Sequence, residues 1–112
     1  MDIKAMMKQA QKLQAKMQED IAQAQEQLAG EQIEGASGGG MVRITVNGHK
    51  QLISVKIDKA AVDPQDVETL EDLVFAALQA ALSNAEARSE EVMGKVQAGL
   101  KIPGMDMSGL GF

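Results

Sequence analysis

The chain has no cysteine, no tryptophan and no tyrosine, and only two phenylalanines and two prolines in 112 residues. The missing thiol excludes disulfides, thiolate metal sites and a cysteine nucleophile, and it fits a reducing, cytoplasmic compartment. With Phe75 and Phe112 as the whole aromatic complement, no stacking platform is available, which argues against recognition of single strands by their bases. No apolar run reaches signal-peptide or bilayer-spanning length, and Met6 and Met7 sit among lysines and glutamines, so neither export nor membrane insertion is expected. A basic amphipathic helix lying on lipid would want an interfacial tryptophan or phenylalanine, and residues 1–17 have none.

The chain does hold an inverted charge balance. The formal net charge is −5, yet residues 1–17 carry four lysines against Asp2 alone, a local +3, which leaves −8 for the remainder. Lys4, Lys8, Lys12 and Lys16 stand four residues apart. On a helix each such step turns about 40° and climbs about 6 Å, so the ammonium groups form a slanting ribbon along which a polyanion can lie. A solvated face of good helix formers accounts for the same lysines without any ligand.

Ile3, Met6, Ala10, Leu13 and Met17 recur at spacings of three and four, and Ile21, Ala24 and Leu28 continue the row after a shift. This pattern predicts one amphipathic helix from about Asp2 to Ala29, ended by Gly30 and about 40 Å long. Residues 31–35 form a weak strand candidate, followed by a flexible glycine-rich stretch from Gly35 to Gly40. Met41 to Asn47 alternates, with Val42, Ile44 and Val46 on one face, and Asn47-Gly48 signals a hairpin. From Gln51 to Ile57 the alternation resumes, predicting Ile53, Val55 and Ile57 facing inward. Asp63-Pro64 starts a second helix with Asp63 as candidate N-cap, and the row Val67, Leu70, Val74, Leu78, Ala81, Ala85, Val92 and Val96 carries it to about Ala98. From Gly99 onward, glycines mixed with Met105, Met107, Leu110 and Phe112 predict little regular structure.

The order is α-β-β-β-α, an α+β domain in which a three-stranded antiparallel sheet packs under two long helices. Residues 1–102 read as a single domain and 103–112 as a flexible tail. The helices overhang so small a sheet and its edges stay open, which a homodimer would remedy.

No catalytic constellation emerges. His49 is the sole histidine and follows the Asn47-Gly48 turn; nothing local makes it a general base, and an exposed turn residue is the simpler reading. Glu71-Asp72 and Glu90-Glu91 are helix neighbours that point about 100° apart, so they suit solvent better than a metal. Gly38-Gly39-Gly40 leads into a strand without a Lys-Ser/Thr pair, unlike a phosphate loop. A non-enzyme without cofactor or metal is the expectation.

Several segments together resemble the YbaB/EbfC family of bacterial nucleoid-associated proteins: the opening helix with Met6, Met7, Lys8, Gln9 and Ala10, the glycine cluster running into Met41 to Gly48, Val55 to Asp58, and Leu70 to Val74. Ala76-Ala77, Ala80-Ala81 and Asn84-Ala85 follow, and Ile102 to Met105 looks like the family's ending. The resemblance implies a tweezer-like homodimer that binds double-stranded DNA in the cytoplasm and nucleoid. It also implies roles in gene regulation or nucleoid organisation and an association with recombination and repair proteins. It assigns DNA contact to the projecting helices, hence to Lys4, Lys8, Lys12 and Lys16, with Arg88 and Lys95 on the second helix. The chain departs from that pattern in its acidic balance, with Glu86, Glu90 and Glu91 among the second-helix bases, which implies weaker or more salt-sensitive binding. Two other classes remain open: a protein-binding adaptor acting through the methionine-bearing tail, and a structural helical dimer that binds no DNA.

Overall fold

The computed structural model describes residues 2–99. The first helix, α1 (Ile3–Gly30), has Asp2 as N-cap, its carboxylate accepting from the Lys4 amide at 3.1 Å. Three strands follow, β1 (Ile33–Ser37), β2 (Val42–Val46) and β3 (Leu52–Ile57), joined in the order β1-β2-β3 with both pairings antiparallel. The second helix, α2 (Val67–Gly99), closes the described chain. The expected tail lies outside the described residues, as does the Ile102 to Met105 segment.

The core forms where α2 crosses β1 and β2. Val42, Ile44 and Val46 are buried against Ala77, Ala81 and Ala85, with Leu70, Leu73, Val74 and Leu78 closing the edges. The helix approaches this closely because its contact row is alanine and because Gly35 lies beneath it. A Cβ at Gly35 would fall 2.1 Å from the Ala81 backbone nitrogen and 2.4 Å from the Ala77 carbonyl oxygen. Gly35 therefore belongs to a packed strand, which corrects the expectation that β1 ends there and a flexible stretch begins. The glycines after it serve conformation: Gly38, Gly39 and Gly40 all have positive φ, at 60°, 68° and 95°, a run that residues with a Cβ adopt only under strain.

Three further expectations are revised. The N-cap of α2 is Asp66, whose carboxylate accepts from the Thr69 amide at 3.3 Å and the Thr69 hydroxyl at 2.6 Å; Asp63 instead accepts from the Gln65 amide in the preceding turn. In β3, Ile53, Val55 and Ile57 are 48%, 46% and 41% exposed rather than buried. A helix about 10 Å wide spans only two strands at about 4.8 Å spacing, and α2 sits on the first two, so the apolar row of the third stays uncovered. Finally, α1 does not lie on the sheet. Its last turns pack on α2 through Ala24, Leu28 and Val92, and the rest projects, giving a particle 78 Å long and 16 Å thick.

The β2–β3 hairpin tip anchors the base of α1. Asn47 is buried; its side-chain nitrogen donates to the Ala29 carbonyl at 3.3 Å and the Gln51 side-chain carbonyl at 2.7 Å, while its oxygen accepts from the amides of His49 and Gln51, both at 2.9 Å. Gly48 donates its amide to the Leu28 carbonyl at 2.8 Å, so close that a Cβ there would meet the Leu28 side chain at 2.6 Å. The Asn-Gly pair thus marks the hairpin, but the left-handed residue of the turn is Lys50, with φ 63°. His49 is exposed, and its ring Nε2 lies 2.8 Å from the Gln25 carbonyl oxygen. The Leu28 and Ala29 carbonyls, which lie in the last turn of α1 and lack an i+4 partner, are in this way met by the hairpin.

Candidate nucleic-acid interface

From Ile3 to Gln18 the sequence contains no acidic residue, and every residue of that stretch is exposed on the projecting part of α1. It is rich in lysine, glutamine, alanine and methionine, and free of glycine and proline, so local propensity favours a continuous helix. At about 100° per residue, the lysines at 4, 8, 12 and 16 centre about 160° away from the apolar row of Ile3, Met6, Ala10, Leu13 and Met17. The two faces are opposed. Lys16 pairs with Asp20 at 3.8 Å at the foot of the ribbon; among the described residues, Lys4, Lys8 and Lys12 have no carboxylate partner. The ribbon rises about 18 Å, a length over which duplex DNA presents about ten phosphates.

The bases on α2 sit differently. Arg88 is half-buried and forms a two-pronged contact with Glu31, Nε lying 2.8 Å and 2.9 Å from the two carboxylate oxygens and Nη2 2.6 Å from one of them. Its remaining nitrogen pairs with Glu91 at 3.2 Å, and Lys95 pairs with the same Glu91 at 3.6 Å. Glu31 directly follows α1, so this ion pair ties the base of the projecting helix to α2. These pairs engage Arg88 at the base of α1, away from the exposed stretch Ile3 to Gln18. Lys95 lines a cleft between the helices with Asp20, Gln23, Ala24, Val92 and Gly99, about 320 Å³ in volume, and meets the foot of the ribbon there, since Asp20 is also the partner of Lys16. Sequence reasoning misses the Glu31–Arg88 pair because its members stand 57 residues apart and no local spacing couples them.

The Arg88 guanidinium holds the Glu31 carboxyl below its usual value of 4.5. A carboxylate whose folded value is depressed stabilises the fold fully above the unfolded value, and this contribution is lost as pH falls through the folded one. Glu31→Gln is therefore expected to lower the urea midpoint at pH 7, with the gap to the parent narrowing below about pH 4. Equal gaps at pH 7 and at about pH 3.5 would contradict that assignment.

Residues 1–100 match the sequence profile of the YbaB/EbfC DNA-binding family. Over 104 residues the chain is 49% identical to a nucleoid-associated protein of Caldanaerobacter subterraneus subsp. tengcongensis, covering 93% of this chain and 90% of that protein. It is 50% identical over 85 residues to a nucleoid-associated protein of Bacillus cereus, covering 76% and 78%. The fold is similar to the crystal structure of an uncharacterized protein from Helicobacter pylori, with a TM-score of 0.71 at 24% identity over 87% of this chain and 98% of that one. Among the described residues no helix is long and apolar enough to cross a membrane.

Proposed function

This chain belongs to the YbaB/EbfC DNA-binding family, and we propose that it binds duplex DNA in the bacterial nucleoid as a homodimer, without catalysis and with little sequence preference. Lys4, Lys8, Lys12 and Lys16 make the phosphate contacts. The observation that carries this reading is the acid-free, exposed stretch from Ile3 to Gln18 with four lysines on one face. Lysine is a point charge suited to phosphate rather than to base edges, so affinity comes from released counterions and specificity stays low. Arg88 is already engaged by Glu31 and Glu91; in this reading it braces the arm, and Lys95 is at most a secondary contact. Relatives named nucleoid-associated proteins support the location, and a role in gene regulation, nucleoid organisation or repair follows from such binding.

The homodimer is supported by the uncovered row on β3. Val55 and Ile57 are register partners of the buried Ile44 and Val42, so the core's own face continues into solvent there. A second copy covering it would extend the core and bring two lysine ribbons to one duplex. Val55→Glu is expected to halve the mass seen in sedimentation; a parent chain that is already monomeric would refute the dimer. For the binding itself, anisotropy titrations with duplex DNA, single-stranded DNA and RNA should rank the duplex first. Failure to retain any nucleic acid at low salt would overturn the reading in favour of a purely structural dimer.

A further inference from the structure

We propose that the chain's own C-terminal segment, residues 103–112, docks along the apolar row of the projecting half of α1. The two helices run antiparallel: Glu31 meets Arg88, Ala24 and Leu28 meet Val92, and Asp20 and Gln23 share the cleft with Gly99. The chain therefore leaves α2 at Gly99 heading toward the N-terminal end of α1. In that direction the row buried at Ala24 and Leu28 continues as Met17, Leu13, Met6 and Ile3, which are 38%, 47%, 52% and 71% exposed. The row from Met17 to Ile3 is about 21 Å long, and the thirteen residues after Gly99 reach up to about 43 Å, so the segment spans it with slack.

The chemistry matches as well as the length. Residues 105–112 supply Met105, Met107, Leu110 and Phe112, and a narrow row lined by methionines accommodates an irregular apolar strip because thioether side chains adapt to uneven partners. Pro103-Gly104 prevents α2 from simply continuing as a helix. Charge favours this occupant over the same row of a second copy: each arm carries four lysines and no acid from Ile3 to Gln18, whereas residues 100–112 carry Lys101 and Asp106 and are neutral. Two cationic arms laid together would repel, and a neutral strip does not. Because the lysine ribbon lies on the opposite face, docking leaves it free and gives the arm the tertiary contact that an isolated stretch of about 17 residues needs to stay helical.

The absence of cysteine makes the test clean. With a nitroxide on Ser108→Cys, amides of residues 6–17 in the same isotope-labelled chain are expected to lose most of their intensity. In a mixture where the nitroxide and the isotope label sit on different chains, intensities should stay unchanged. Removing residues 103–112 should speed amide exchange of residues 6–17 by about tenfold and leave residues 24–28 unaltered, as expected when one local unit loses its packing. Unbroadened amides in the same chain would overturn the proposal. Broadening that persists in the mixture would overturn it too, by assigning the row to a partner's tail. Neither readout involves DNA, so failure here is distinguishable from failure of the binding reading.

Discussion

Gly35→Val is expected to cost about 3 kcal/mol or more, a large part of the total stability of a domain this small. The atoms nearest an added Cβ belong to the backbone of α2, the Ala81 nitrogen at 2.1 Å and the Ala77 oxygen at 2.4 Å. Backbone cannot rotate away as a side chain can. The whole helix must lift from β1, and the lift opens the layer of Val42, Ile44 and Val46 against Ala77, Ala81 and Ala85. For the same reason Ala81→Gly will not rescue the variant, since trimming a methyl leaves the clashing nitrogen in place. A glycine without this role gives the opposite sign. Gly94 lies inside α2 with no atom beyond its own stretch of helix within 4 Å of where a Cβ would stand, and Gly94→Ala is expected to stabilise by about 0.5–1 kcal/mol through helix propensity. Urea denaturation of both variants checks the pair, and a near-parental midpoint for Gly35→Val would contradict the packing described.

Long periodic elements are legible in the sequence, and contacts between distant residues are not. The three-four spacing from Ile3 to Leu28 marks α1 to within a residue or so of its observed ends, because one face repeats over about seven turns. The alternation of Val42, Ile44 and Val46 marks the buried face of β2. The same alternation misleads in β3, where it reports which residues share a face but not whether a helix is wide enough to cover them. Gly35 misleads in another way, since a glycine beside Gly38-Gly39-Gly40 looks like part of a loop, and only the position of α2 shows that its lack of a side chain serves packing. Asp63 and Asp66 both suit a helix start; Thr69 placed three residues after Asp66 decides for the latter. The lysine ribbon is legible as a pattern. The acid-free arm that presents it becomes visible only with the placement of α2, whose described residues reach no further along α1 than Asp20.

Replacing Lys4, Lys8, Lys12 and Lys16 together by glutamate is expected to weaken duplex binding by about 10³-fold or more at low salt. A dimer would lose eight cationic contacts and gain eight repulsive charges on the surface that faces phosphate. The fold should survive, since the four side chains sit on the exposed face and α1 is held at its base by Leu28, Asn47 and the Glu31–Arg88 pair. Helical content and oligomeric mass unchanged from the parent would establish that the loss is electrostatic. Arg88→Met provides the contrast, because removing a guanidinium already neutralised by Glu31 and Glu91 should lower the unfolding midpoint much more than the affinity.

Whether the lysine ribbon holds the phosphates is decided by the slope of log K against log salt for duplex binding, measured on the parent and on a variant with all four lysines replaced by glutamine. Glutamine keeps the helix and removes only the charge. Eight lysines in a dimer set a limit of about −7 for their share of the slope, at about −0.9 per neutralised phosphate. A steep parental slope that becomes shallower by several units in the variant is the expected result. Parallel slopes for the two proteins would contradict it and place the phosphate contacts elsewhere on the molecule.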